Sequence, residues 1–110
     1  MAVYANLIID QGSDFRSTIT VEDTTSNIVN LENYTGRGQM RKTYTSNTAY
    51  DFTVEIPNPS LGELTISLNS EITTGIKPGR YVYDIEIISS AGVITRVLEG
   101  QVEVTPRVTR

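Results

Sequence analysis

The last third of the chain constrains the fold most. RYVYDIEIISSAGVITRVLEGQVEV (Arg80 to Val104) is a long alternating run, a Ser-Ser-Ala-Gly turn and a second alternating run. A period of two places alternate side chains on opposite faces of a strand, and two such runs about a short turn form a β-hairpin. Tyr81, Tyr83, Ile85 and Ile87 then share one face, opposite Val82, Asp84 and Glu86. The return strand turns Ile94, Leu98, Val102 and Val104 inward, and Gly100 is a candidate bulge.

The rest of the chain repeats this pattern. Leu7 and Ile9 open it, and Phe15, Ile19 and Val21 continue it past Gln11-Gly12-Ser13. The polar run Glu22 to Asn27 is a turn, and a short extended piece follows at Ile28 to Leu31. In the strand Tyr34 to Thr43, Gly36, Gly38 and Met40 lie opposite Arg37, Gln39 and Arg41. After the polar loop Tyr44 to Tyr50, Phe52, Val54 and Ile56 point one way until Pro57 and Pro59 end the strand. Leu64, Ile66 and Leu68 form the next inward face, and Asn69 or Ser70 caps one helical turn near residues 69–75. About seven short strands with no ordinary helix predict an all-β, immunoglobulin-like antiparallel sandwich. One domain over residues 1–104 is expected, with 105–110 an extended C-terminal arm.

Composition removes several chemistries. The 110 residues suffice for one core without staples. Cysteine is absent, which excludes disulfides and thiolate metal sites. Histidine is absent too, and with it the commonest general base and metal ligand. A net charge of −4 disfavours general nucleic-acid binding. MAVYANLIID lacks the basic region of a signal peptide, and no segment has the roughly 20 apolar residues of a membrane helix. A soluble protein made in a cytoplasm is the expectation.

Few motifs suggest a site. Asp84 and Glu86 share a strand face and resemble a paired carboxylate, although any solvated strand face produces such a pair. An enzymatic role would need a concave acidic cleft around them. Gly36-Arg37-Gly38 lacks the helix start that a phosphate loop requires, so close approach of a neighbouring backbone or of Tyr34 explains it better. Asn33-Tyr34-Thr35 matches the glycosylation pattern without a secretory signal. Arg37, Arg41 and Lys42 with Tyr44 and Tyr50 form a basic, aromatic region suited to protein contact. Tyr4, Arg107 and Arg110 add candidate contacts at the termini, and Arg96 adds a basic residue near the C-terminal end. A sugar-binding sandwich would instead expose Tyr4, Tyr44 and Tyr50 as a coplanar cluster. No catalytic residue, cofactor or metal site is expected.

LIIDQGSDFRSTITV (Leu7 to Val21), VNLENYTGRGQMRK (Val29 to Lys42), PGRYVYDIEI (Pro78 to Ile87) and VTRVLEGQVEVTP (Val93 to Pro106) together cover most of the chain. They resemble the strand and turn signatures of small immunoglobulin-like sandwich domains in tailed-bacteriophage virion proteins, including the attachment domains of baseplate and tail-fibre proteins. Asn30 and Glu32 replace the usual Asp and Thr of the second signature, and Asn33 stands where Gly is expected. The resemblance implies a non-enzymatic virion component. A capsid decoration or cement protein on the major capsid protein is the first expectation. A tail, neck or baseplate adaptor is the second, and a glycan-binding sandwich the third. It also implies many copies or a homo-oligomer on the particle, contacting phage structural proteins through the N-terminal segment Ala2 to Ile9 and the C-terminal arm, with no nucleic acid and no membrane as partner.

Overall fold

The computed structural model describes residues 3–23, 25 and 27–109. Eight strands run in chain order: β1 (Val3–Tyr4), β2 (Leu7–Asp10), β3 (Phe15–Thr20), β4 (Thr35–Arg41), β5 (Ala49–Asn58), β6 (Glu63–Leu68), β7 (Gly79–Ile88) and β8 (Ile94–Thr105). One helical turn, α1 (Ser70–Thr74), joins β6 to β7, and the Asn69 side chain caps it by accepting from the Ile72 N–H at 3.0 Å. The all-β sandwich and the single capped turn are both as the sequence predicts. A further 3-10 turn, Pro59–Leu61, was not expected.

A single ladder of strands, β1-β8-β7-β4-β5-β6-β3, folds over on itself. The fold line is β5. Its first residues, Ala49 to Phe52, pair with β4, and Thr53 onward pairs with β6. One strand thus serves both layers, a larger sheet built on β4, β7 and β8 and a smaller one of β6 and β3. Phe52 sits at the crossing, its ring 6.3 Å from Phe15 of the small sheet and 6.0 Å from Tyr83 of the large one. Between the layers lie Ile9, Met40, Leu64, Ile66, Ile85 and Val102, all fully buried. Burying an aliphatic side chain contributes about 1.5–3 kcal/mol, so this seam holds the two layers together.

The closing hairpin has the predicted faces except at Ile94, which is exposed at the start of the return strand. Tyr81, Tyr83, Ile85 and Ile87 are buried, and Gly92 at positive φ completes the turn with its N–H donating to Ser89 O at 2.9 Å. The bulge is elsewhere than expected. Ile85 pairs with Leu98 and Glu86 with Arg96, so Val97 is the extra residue and is buried beside Leu98. Gly100 keeps regular pairing with Tyr83.

The sheet is not wholly antiparallel. β1 and β2 run parallel to β8, Val3 opposite Leu98 and Leu7 opposite Val102. Between them the chain steps over Gly100. The Ala5 N–H donates to Glu99 O at 2.8 Å, and the Tyr83 hydroxyl donates to Ala5 O at 2.7 Å. A Cβ on Gly100 would run into the Ala5 carbonyl, so the glycine is required by this close approach and not by a bulge.

Three other local expectations change. Pro57 lies inside β5, at a register irregularity between Glu55 and Asn58 where its missing N–H leaves no gap in the ladder. Ile28 to Leu31 forms only an isolated bridge, Glu22 to Ile28, although Leu31 is buried. Residue 105 belongs to β8, and the chain after it continues beside Gln11, whose Oε1 accepts from the Arg107 N–H at 3.4 Å. Arg107 donates through Nη1 to Thr74 Oγ1 at 3.3 Å and covers Gly12. Asn33 adopts φ 65°, the left-handed conformation that Gly takes most readily and in which Asn is enriched among the other residues.

Tyr83 ties this architecture to pH. Burial, with a smaller contribution from Tyr4, pushes its phenol up to about 12 from 10.0. The folded state therefore holds a proton that the unfolded chain releases near pH 10, so stability falls as pH rises from about 10 to about 12. Tyr83→Phe is expected to cost about 1 kcal/mol at neutral pH through the lost hydrogen bond. It should also flatten much of that alkaline decline, leaving the smaller part due to Tyr81, whose phenol is raised by burial and by Tyr50. Urea midpoints of both proteins at about pH 9 and about pH 11.5 test this. Parallel declines would remove Tyr83 as the cause.

Candidate functional site

Where β4, β7 and β8 lie side by side, the outward face of the large sheet is mainly polar, with Val82 among its apolar members. Because β4 pairs with β7 and β7 with β8, Arg37 lies opposite Glu86, Gln39 opposite Asp84, Asp84 opposite Glu99, and Glu86 opposite Arg96. These residues line an open concavity of about 610 Å³. The arginines bridge neighbouring strands. Arg37 Nε donates to Glu86 Oε1 at 2.9 Å, and Arg96 reaches Asp84 at 3.4 Å and Glu99 at 3.3 Å. Gln39 donates to Asp51 at 2.7 Å and accepts from Arg41 Nη2 at 2.9 Å.

Arg41 also fixes the loop after β4. Its Nη1 donates to Ser46 O at 2.6 Å, and the Ser46 N–H donates to Thr43 O at 3.1 Å. The polar loop is therefore tied back to the face, and Tyr44, 84% exposed, stands over the concavity as part of its lining.

The basic, aromatic region predicted from the sequence divides in two. Arg37, Arg41 and Tyr44 lie together on the outer face. Tyr50 pairs with Met40 and so turns to the core side, where its ring meets Tyr81 edge-on at 6.3 Å. Lys42 follows the same parity and stands over the Tyr81 ring at 5.0 Å. Tyr4 lies on the outermost strand beside Glu99 and is 64% exposed. Arg107 packs against its own chain, and Arg110 lies outside the described residues. The three tyrosines do not form one coplanar cluster, because Tyr50 belongs to the opposite side of the sheet.

Asp84 and Glu86 do share a concave face, as an enzyme reading required, yet arginines hold both. Burial raises the Asp84 carboxyl above the ordinary aspartate value; Arg96 opposes this, Glu86 and Glu99 reinforce it, and Arg37 opposes it weakly. The folded chain thus binds this proton more readily than the unfolded chain, and stability falls as pH rises through the window just above the ordinary value. Asp84→Asn is expected to leave stability at pH 7 within about 0.5 kcal/mol, since the ion pair is half exposed, and to flatten that acid-side slope. Thermal midpoints across the acid range check both outcomes. The glycines of Gly36-Arg37-Gly38 turn inward, where Gly36 meets the Val54 side chain and Gly38 meets Ile85 and the Asp84 backbone, with Tyr34 near neither. Among the described residues, no three acidic side chains converge on a point where a metal ion would sit.

No family model and no curated protein matches this chain. Among solved structures, an internalin-like protein of Listeria monocytogenes is similar over 94% of the chain and 28% of its own length, at 16% identity and TM-score 0.48. A family 123 glycoside hydrolase from Clostridium perfringens is similar over 97% of the chain and 24% of its own length, at 14% identity and TM-score 0.44. CopC from Methylosinus trichosporium OB3b is similar over 93% and 71%, at 17% identity and TM-score 0.34. The chain spans about a quarter of the length of the first two. At these levels of likeness nothing about its role follows from them.

Proposed function

We propose that this chain is a non-enzymatic structural component of a tailed-phage particle, a decoration protein held on the coat by its strand edges and terminal segments. The strand and turn signatures named above motivate the virion assignment. The observation that carries the mode of attachment is the N-terminal edge. β1 and β2 lie outermost on the large sheet, and Val3, Tyr4 and Ile8 are each more than 60% exposed there. A row of exposed apolar side chains on an unpaired strand edge suits strand addition to a neighbouring subunit. Repetition over a coat lattice multiplies a weak contact of this kind.

The test is location. In gradient-purified particles produced from the genome that encodes this chain, mass spectrometry is expected to find it, and cryo-EM to place it on the coat. Its absence from pure particles overturns the proposal. A stoichiometry on the order of hundreds supports decoration, whereas small multiples of three or six would transfer the chain to the tail. Deleting residues 106–110 separates the two terminal contacts. Retained particle binding by the truncated chain assigns attachment to the N-terminal edge, and lost binding with an unchanged melting temperature assigns it to the C-terminal arm.

A further inference from the structure

We infer that the concave outer face of the large sheet is a binding site for a neutral oligosaccharide, built on Tyr44 and the polar network and not on the three-tyrosine cluster that the sequence suggests. This goes beyond the attachment role, which uses the sheet's edge and leaves the face open to solvent.

The chemistry of the lining selects the ligand. Three arginines, Arg37, Arg41 and Arg96, face four carboxylates, Asp51, Asp84, Glu86 and Glu99, so the concavity is close to neutral. A phosphate backbone would meet more repulsion than attraction there. A protein partner fits poorly, because the centres of protein interfaces are depleted of charge. An apolar small molecule would have to desolvate these seven charged side chains.

Sugar hydroxyls both donate and accept, and they are recognised by planar polar side chains at fixed positions. This face supplies them already ordered. Arg37 engages Glu86 through Nε, which leaves the donors of its two terminal amino groups available to a ligand. Asp84 is held by Arg96 only at 3.4 Å, which leaves it acceptor capacity. The cross-strand pairs fix these groups before any ligand arrives, so little ordering cost remains on binding.

Tyr44 provides the second element. The face of a phenol ring is negative and attracts the weakly positive C–H bonds on one side of a pyranose. Tyr44 is exposed, and the backbone of its loop is tied down by Arg41 and Ser46, which keeps the ring at the rim of the concavity. The lining runs from Asp51 on β5 to Glu99 on β8, three strand spacings or about 14 Å, which accommodates about three sugar rings.

The experiment uses the whole chain on an array of neutral tri- to hexasaccharides of gluco, galacto, manno and rhamno configuration, with sulfated and uronic glycans alongside. Retention on a set of neutral glycans is expected, unchanged by moderate salt. For the best neutral hit, calorimetry should show Kd weakened at least about tenfold in Tyr44→Ala and in Arg37→Ala. Both residues are exposed, so unchanged melting temperatures will show that folding is intact. Tyr50→Phe, on the opposite side of the sheet, should bind as the parent does. Silence on every neutral glycan overturns the inference. So does binding confined to acidic glycans and abolished by salt, or neutral binding that neither Tyr44→Ala nor Arg37→Ala weakens.

Discussion

Gly100→Val is expected to lower unfolding free energy by about 3 kcal/mol and to release the first strand from the sheet. The side chain would enter the space held by the Ala5 carbonyl, and the obstacle is backbone, which cannot swing aside as a flexible side chain would. Two responses are open to the fold. Either β8 shifts, which disturbs its long ladder with β7, or the N-terminal segment lifts. The second costs less. Val3 and Tyr4 are already exposed, while Ile9 of β2 is fully buried and anchors the segment beyond the step. The strand should therefore peel only as far as Asn6. Hydrogen exchange is expected to show lost protection at the Ala5 amide and retained protection at Ile9, with the Tyr83 hydroxyl losing its acceptor. Uniform loss across the domain would mean instead that β8 moved. If the N-terminal edge is the attachment surface, the same variant should also bind particles poorly while keeping its oligosaccharide binding.

The step over Gly100 shows why the closing hairpin was legible in the sequence and its neighbours were not. The faces of β7 follow from parity alone, since Tyr81, Tyr83, Ile85 and Ile87 need only alternate to be buried together. Parity fails at Val97, because an inserted residue leaves no mark when it is itself apolar. It also says nothing of partners. That Leu7 to Asp10 is a strand can be read locally, but its parallel pairing with β8 joins residues more than 90 positions apart. The candidate site has the same character. Asp84 with Glu86, and Arg37 with Gln39 and Arg41, are each one face by alternation. Only the β4–β7 ladder makes those two faces one surface. Tyr44 and Tyr50 are neighbours only in the chain. The loop between them hides the parity that sends one ring outward and the other toward Tyr81.

Gly36 gives the sharpest test of how the two layers close on each other. It lies on the inward face of β4, and a Cβ there would collide with Cγ1 of Val54, just past the point where β5 crosses to the small sheet. Gly36→Ala is expected to cost about 2 kcal/mol, despite the small gain from removing a glycine from a strand. Val54→Ala alone should cost about 1–2 kcal/mol, because the side chain is only partly buried. Together they should not add. Removing the valine methyls frees the space that the new Cβ needs, so the double variant is expected to be more stable than the sum of the singles by about 1 kcal/mol. The Val54 Cβ itself stays at 3.3 Å, which keeps the compensation partial. Denaturant midpoints with unchanged slopes measure each corner of the cycle. Strict additivity would place the steric partner of Gly36 elsewhere, and a parallel cycle with Tyr34→Ala, expected to be additive, shows whether Tyr34 is that partner. A coupling found only with Val54 means that β4 stays narrow at this position so that the crossing strand can close the small sheet over the large one, which holds the outer face in the shape its polar network requires.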